Sequence, residues 1–195
     1  MKLEEARVLL IGASGGIGQA MALALRRAGA MVMGVGRSEK SPMPMPWVQA
    51  DLVSEAGVAT VAAAAQQGQI NVVVLAAGVS AFGVLSQVNV AQMRAALEVN
   101  LLAPMLLTQA LLPALMTQPR AQLIFVGSVL GRIGLPGFSV YGASKAGLHG
   151  FAEGLRRECA QTQVRIQILG PRSTRTRFNA PQVEAYQRAT NTAVD

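Results

Sequence analysis

Tyr141 and Lys145 stand four residues apart in the run Tyr141-Gly142-Ala143-Ser144-Lys145. On a helix that spacing puts a phenol and an ammonium on one face, a single turn apart. A tyrosine hydroxyl is a weak acid, with a pKa of about 10. A cation beside it favours the phenolate and brings the group toward proton transfer at neutral pH. The same pair also arises on ordinary solvated helix faces, so its meaning depends on what the rest of the chain brings to it. A second stretch with chemical content is Ile11-Gly12-Ala13-Ser14-Gly15-Gly16-Ile17-Gly18. Its glycines allow a tight turn and close approach of backbone to a pyrophosphate.

The elements that must position these residues show in the apolar pattern. Residues 7–11 read as a buried strand, and the glycine run then opens an Ala/Leu-rich helix to about Arg27. A second strand covers 30–35, with Gly29 as a helix C-cap before it. Pro42, Pro44 and Pro46 make a loop that leads to a short strand at 47–50. A helix over 54–67 precedes a strand at 71–75 whose unbroken apolarity suits a sheet covered on both faces. A long helix over 90–116, bent near Pro104, leads to a strand at 122–126, a helix over 140–160 and a strand at 164–169. This alternation predicts a Rossmann-type, doubly wound parallel α/β sheet, built as one domain over residues 1–195. Ligands of such sheets bind beyond the C-terminal strand ends, and each motif falls at such an end.

In that setting Gly12, Ser14, Gly16, Ile17 and Gly18 form a nucleotide-binding turn at a helix N-terminus. Gly36 stands where a carboxylate would hold a ribose 2′-OH, and the following Arg37 suits a 2′-phosphate. NADP(H) is therefore favoured, and NAD(H) stays compatible; the plain alternative makes Arg37 a surface residue. Asp51, followed by Leu52, ends the third strand and can accept a hydrogen bond from an adenine amino group, or can cap the helix that begins near Ser54. Ala76-Ala77-Gly78 offers small residues against which a flat cofactor can lie, or is simply a turn.

From about Val8 to Thr176 the chain resembles the short-chain dehydrogenase/reductase family. The resemblance rests on the glycine loop, Asp51, Ala76-Ala77-Gly78, Asn100, Ser128, Tyr141 through Lys145, and the stretch Pro171 to Thr176. It implies an NAD(P)-dependent oxidoreductase that interconverts a small-molecule carbonyl and an alcohol. Tyr141 would act as general acid in reduction and general base in oxidation. Lys145 would lower the pKa of Tyr141 and hold the nicotinamide ribose, and Ser128 would polarise the substrate oxygen. Asn100 would bend its helix and hold a water linking Lys145 to solvent. Pro171 would make the turn after the last strand, Thr176 would meet the nicotinamide carboxamide, and Thr174 would face the cofactor. One version of this activity is a 3-oxoacyl-thioester reductase. A competing reading is a dinucleotide-binding redox sensor or interaction protein without turnover.

The chain departs from the family pattern at Ile11, where threonine is frequent, at Leu75-Ala76 in place of Asn-Asn, and at Arg172 in place of glycine. It also stops at Asp195, soon after a substrate-covering helix is expected to begin near Pro181. The expectation is a sheet without the usual last strand, an incomplete lid, and a homodimer or homotetramer that supplies missing surface.

Composition narrows the alternatives. Hydrophobic residues make up 51% of the chain and charged residues 14%, which argues for a packed domain over disorder. The net charge of +7 gathers late, at Arg156, Arg157, Arg165, Arg172, Arg175, Arg177 and Arg188. No recognition module accompanies them, so a phosphate-bearing ligand, an anionic substrate or a solvated face explains them better than nucleic acid. The apolar stretch 95–116 is interrupted by Glu98, Asn100, Pro104, Gln109 and Pro113 and reads as a buried helix rather than a membrane span. The N-terminus is unlike a signal peptide and Cys159 is the sole cysteine, so a cytoplasmic location is expected. One histidine, His149, and one cysteine cannot build a usual zinc site. His149 is expected to pack in the core or at an interface.

Overall fold

In β1 (Arg7–Ile11) successive side chains alternate between two faces of a sheet, and both faces are covered. Leu9 and Ile11 enter one apolar core, while Val8 and Leu10 enter the other. β4 (Val72–Leu75) repeats the arrangement, with Val73 and Leu75 on the first face and Val72 and Val74 on the second. That is the physical origin of the unbroken apolar runs in the sequence. These features belong to a computed structural model that describes residues 2–174, 176, 178–179 and 181–190. Arg175 and Arg177, counted in the late basic cluster, lie outside the described residues.

The other strands are β2 (Met31–Gly36), β3 (Trp47–Gln49), β5 (Ala121–Val126) and β6 (Val164–Leu169). All pairings are parallel, in the order β3-β2-β1-β4-β5-β6. The chain therefore works outward from β1 in one direction, then crosses back to β4 and works outward in the other. The switch point lies between β1 and β4, so the glycine loop after β1 and Ala76-Ala77-Gly78 after β4 face each other across it. This is the doubly wound Rossmann-type fold that the strand–helix alternation implies.

Helix α1 (Gly16–Arg27) carries Ala22, Met21 and Leu25 onto the second face. The first face takes α2 (Glu55–Gln67), α4 (Ala103–Met116) and α5 (Ser139–Glu158), through Val61, Leu107, Leu111, Leu148 and Ala152. Ser54 caps α2, its Oγ accepting from the Gly57 N–H at 3.0 Å. Gly29 adopts a φ of +86° at the end of α1, as a C-cap glycine should. Trp47 lies across β2: a Cβ at Gly34 or Gly36 would come within 2.8 and 2.7 Å of its ring. Those two glycines are thus explained by packing as well as by any ligand.

The long helix over 90–116 is three pieces rather than one helix bent at Pro104. α3 (Val90–Leu97) runs into a wide turn over Glu98–Leu102, in which the Ala103 N–H reaches back five residues to the Glu98 carbonyl. Pro104 has no N–H to offer the Asn100 carbonyl, so its effect appears one turn earlier, at Asn100. Nor is the helix buried all round. Leu107, Leu111 and Leu115 are in the core, while Leu97, Leu102 and Leu106 are 45%, 48% and 37% exposed. By length and composition Val90–Met116 would suffice to cross a membrane, but here one of its faces packs on the sheet and on α2.

Candidate active site

The chemistry-bearing residues converge where β4, β5 and α5 meet. Tyr141 and Lys145 occupy the first two turns of α5 and are 9% and 4% exposed. Ser128 follows β5 and is also buried; its Oγ accepts from the Leu130 N–H at 3.1 Å. Its hydroxyl is near enough to the Tyr141 phenol to lower that group's pKa. Lys145 Nζ donates to the Val126 carbonyl at 3.0 Å and lies 5.9 Å from the centre of the Tyr141 ring.

Asn100 stands one layer behind this group and is 1% exposed. Its Oδ1 accepts from the Val79 N–H at 2.8 Å, and its Nδ2 donates to the Val79 carbonyl at 3.0 Å and to Ser144 Oγ at 3.1 Å. Ser144 in turn donates to the Tyr141 carbonyl at 2.7 Å. The amide thereby ties the segment after β4 to the turn of α5 that carries Tyr141. A Cβ on Gly78 would sit 3.2 Å from Asn100 Oδ1 and 3.6 Å from Lys145 Nζ, so glycine leaves a gap between them. The wide turn is what aims Asn100 here, because it rotates the helix surface by one extra residue.

Burial dominates the proton affinities. It raises the Tyr141 phenol above its usual value, and the Ser128 hydroxyl offsets only part of that. Burial also pulls Lys145 down to about 8. The Lys145 ammonium donates to the Val126 carbonyl, and burial with the Ser128 hydroxyl accounts for the direction of the phenol's shift.

The glycine loop is packed to contact. Gly12 has a φ of +82°, and a Cβ there would lie 2.6 Å from the Ala77 nitrogen. A Cβ on Gly18 would run into the Gly12 carbonyl. At Gly16 it would meet the Thr176 methyl at 2.6 Å, so the segment after β6 rests on the loop. Gly15 precedes α1 without a side-chain cap, which leaves the N–H groups of that first turn for a ligand. Arg37 is exposed beyond β2, and its carbonyl accepts from Gln49 Nε2 at 3.1 Å. Asp51 Oδ1 accepts from the Val53 N–H at 3.3 Å, while the capping of α2 belongs to Ser54.

One cleft of about 1140 Å³ joins these parts. Ser128, Tyr141 and Lys145 border it, as do Ser14, Ile17, Leu52, Ala76, Pro171 and Thr174 and the other expected ligand contacts; Asn100 alone lies behind its wall. Helix α6 (Pro181–Ala189) closes over one end, with Val183 buried beside Tyr141. A family model described as short chain dehydrogenase matches residues 6–187.

The chain belongs to the short-chain dehydrogenase family.

An uncharacterized oxidoreductase of Staphylococcus epidermidis is 32% identical to this short-chain dehydrogenase over 180 residues, 87% of this chain and 78% of the relative. A 3-oxoacyl-[acyl-carrier-protein] reductase of Escherichia coli is 29% identical over 181 residues, 88% of this chain and 74% of the relative. The crystal structure of an NAD(P)-dependent gluconate 5-dehydrogenase candidate from Beutenbergia cavernae, solved with bound NADP, superposes with a TM-score of 0.86 at 27% identity. It spans 98% of this chain and 82% of that one. The protein is accordingly an oxidoreductase of the short-chain type.

Two features of this short-chain dehydrogenase escape sequence reasoning. His149 is more than packing: its Nε2 lies 3.3 Å from the Ser128 carbonyl, which can only accept, so the ring donates from that nitrogen. Its Nδ1 is buried without a partner among the described residues. Gly127 and Gly131 admit the ring, since a Cβ at either would come within 3.0 and 2.7 Å of it. The second feature is a group of aromatic rings around Tyr141. The scarcity of aromatics in the composition was the available signal, but their meeting depends on how α6 folds back.

Proposed function

We propose that this short-chain dehydrogenase is an NADP(H)-dependent enzyme that interconverts a carbonyl and a secondary alcohol, with Tyr141 as the acid/base. The observation that carries the reading is the gathering of buried Ser128, Tyr141 and Lys145 on the same cleft as the glycine loop. The residues present fit a dinucleotide. The loop is closed to any side chain at Gly12 and Gly18 yet leaves uncapped N–H groups, as a pyrophosphate requires. Gly12, Ser14, Gly16, Ile17 and Gly18 would hold the phosphates, Arg37 a 2′-phosphate, and Asp51 with Leu52 the adenine. Ala76, Ala77, Gly78, Pro171, Thr174 and Thr176 would flank the rest, with Tyr141 and Lys145 beside the nicotinamide ribose. The NADP in the Beutenbergia cavernae structure supports the choice of nucleotide. Bound there, the cofactor supplies hydride to the carbonyl carbon or takes it from the alcohol.

The protein's own task is to place the carbonyl and move one proton. Ser128 Oγ already accepts from Leu130, so its O–H remains to donate toward an oxygen held beside Tyr141. Tyr141, kept protonated by burial, gives its proton to that oxygen in reduction and recovers one from the alcohol in oxidation. A charged Lys145 favours the phenolate that reduction leaves behind. The Asn100–Ser144–Tyr141 chain of hydrogen bonds holds the backbone of the acid/base residue in register with Ser128.

A 3-oxoacyl thioester is one substrate consistent with this chemistry, and the Escherichia coli relative favours its inclusion in any screen. Self-association as a dimer or tetramer belongs to the same reading. It is supported by the apolar residues Leu97, Leu102 and Leu106 that stay exposed on the helix beside α5. Titration with NADPH and NADH, followed by a carbonyl panel monitored by loss of nicotinamide absorbance, tests the proposal. Preferential NADPH binding with turnover of at least one carbonyl is expected. Binding without turnover across the panel would favour the non-catalytic sensor instead.

A further inference from the structure

The chain has only eight aromatic residues, five Phe, two Tyr and one Trp, and five of the eight meet at the acid/base residue. Phe138 lies 6.5 Å from Tyr141 between ring centres, and Phe178 lies 6.0 Å from it on edge. Phe82, Phe138 and Tyr186 form a mutually touching trio with centres 4.8 to 5.8 Å apart. Of these rings Phe138, Tyr141, Phe178 and Tyr186 border the cleft.

Three observations separate this cluster from an ordinary satellite core. First, Phe178 is 41% exposed although it sits beside a buried catalytic candidate, so its ring is presented to the cleft rather than consumed by packing. Second, apolar side chains, including Leu130, Leu135 and Val183, pack around Tyr141 beside the Lys145 ammonium, which lies 5.9 Å from its ring centre. Third, two polar groups bordering the same end, Ser173 and Gln187, are hydrogen-bonded to each other. A flat hydrocarbon ring would meet ring edges and faces at the separations aromatic pairs prefer.

Resting on the carbonyl–alcohol reading above, we propose that the substrate is an aryl ketone, or the matching aryl carbinol, whose ring seats between Phe178 and Tyr186 with its oxygen at Tyr141. The reaction balances with the nicotinamide alone: hydride adds to the carbonyl carbon and the Tyr141 proton to its oxygen, reducing the ketone as the cofactor is oxidised.

The test compares kcat/KM for an aryl methyl ketone, an open-chain aliphatic methyl ketone of equal carbon number, a ketose and a 3-oxoacyl thioester, with NADPH titrated in parallel. The aryl ketone should lead the aliphatic one by about tenfold, the upper end of what an aromatic pairing adds. Phe178→Leu keeps an apolar side chain but removes the ring, and should bring that ratio toward one; Tyr186→Leu serves as a second, independent variant. Preference of the native enzyme for the aliphatic ketone, the ketose or the thioester would overturn the aryl assignment while leaving the carbonyl reductase standing. So would a ratio unchanged in both variants. NADPH binding with no carbonyl reduced would overturn both.

Discussion

Burial moves the two ionisable groups on α5 in ways that fix where the enzyme's activity must change with pH. Lys145 is pulled down to about 8, so it carries its charge below that value and loses it above. Reduction needs a protonated Tyr141, which its raised value guarantees throughout the neutral range, and gains from a charged Lys145. The kcat/KM for reduction should therefore hold steady through neutral pH and fall as pH rises through about 8, a profile measured by varying the carbonyl at saturating cofactor. Arg37 makes a separate prediction. Arg37→Ala should weaken NADPH binding by roughly 10- to 100-fold, the worth of a charge-assisted hydrogen bond of about 1.5–3 kcal/mol, while NADH binding changes little. Paired titrations check it.

At the scale of elements, the wide turn at Glu98–Leu102 makes the site depend on a helix defect. Asn100→Ala would strand the Val79 N–H and carbonyl and remove a partner of Ser144. A loss of about 2 kcal/mol is expected, which for a chain of this size lowers Tm by roughly 4–8 °C in a thermal melt. The strands, the glycine loop and the Tyr141–Lys145 helix were legible in the sequence because each has a local signature: alternating burial, punctuating glycines, a one-turn spacing. The position of the defect was not. Pro104 is the visible irregularity, yet a missing N–H acts on the carbonyl four residues earlier, at Asn100. His149 was equally hidden, because its contact with Ser128 depends on glycines at 127 and 131 that the sequence does not link to it. Gly36 shows the converse. Read from sequence it is a missing carboxylate, but Trp47 crossing β2 would leave no room for one.

At the scale of the molecule, the sheet order places the glycine loop and the Tyr141 end on opposite sides of one switch point, and a single cleft spans both. The same architecture leaves the helix pair α3–α4 apolar on its outer side. If that side is the self-association surface, Leu102→Glu with Leu106→Glu should convert an oligomer to a monomer in light scattering, with NADPH affinity retained. The aromatic end of the cleft sets what may enter, and the glycine loop sets what carries the hydride, but the account turns on the proton at Tyr141. The most direct measurement is the turnover of a confirmed carbonyl substrate by Tyr141→Phe, with NADPH affinity measured on the same preparation. Loss of the hydroxyl should lower kcat by about 10² to 10⁴-fold, the usual contribution of a positioned acid, while NADPH affinity stays within a few-fold. A variant that binds NADPH and retains most of the native turnover would contradict the assignment of Tyr141 as the acid/base.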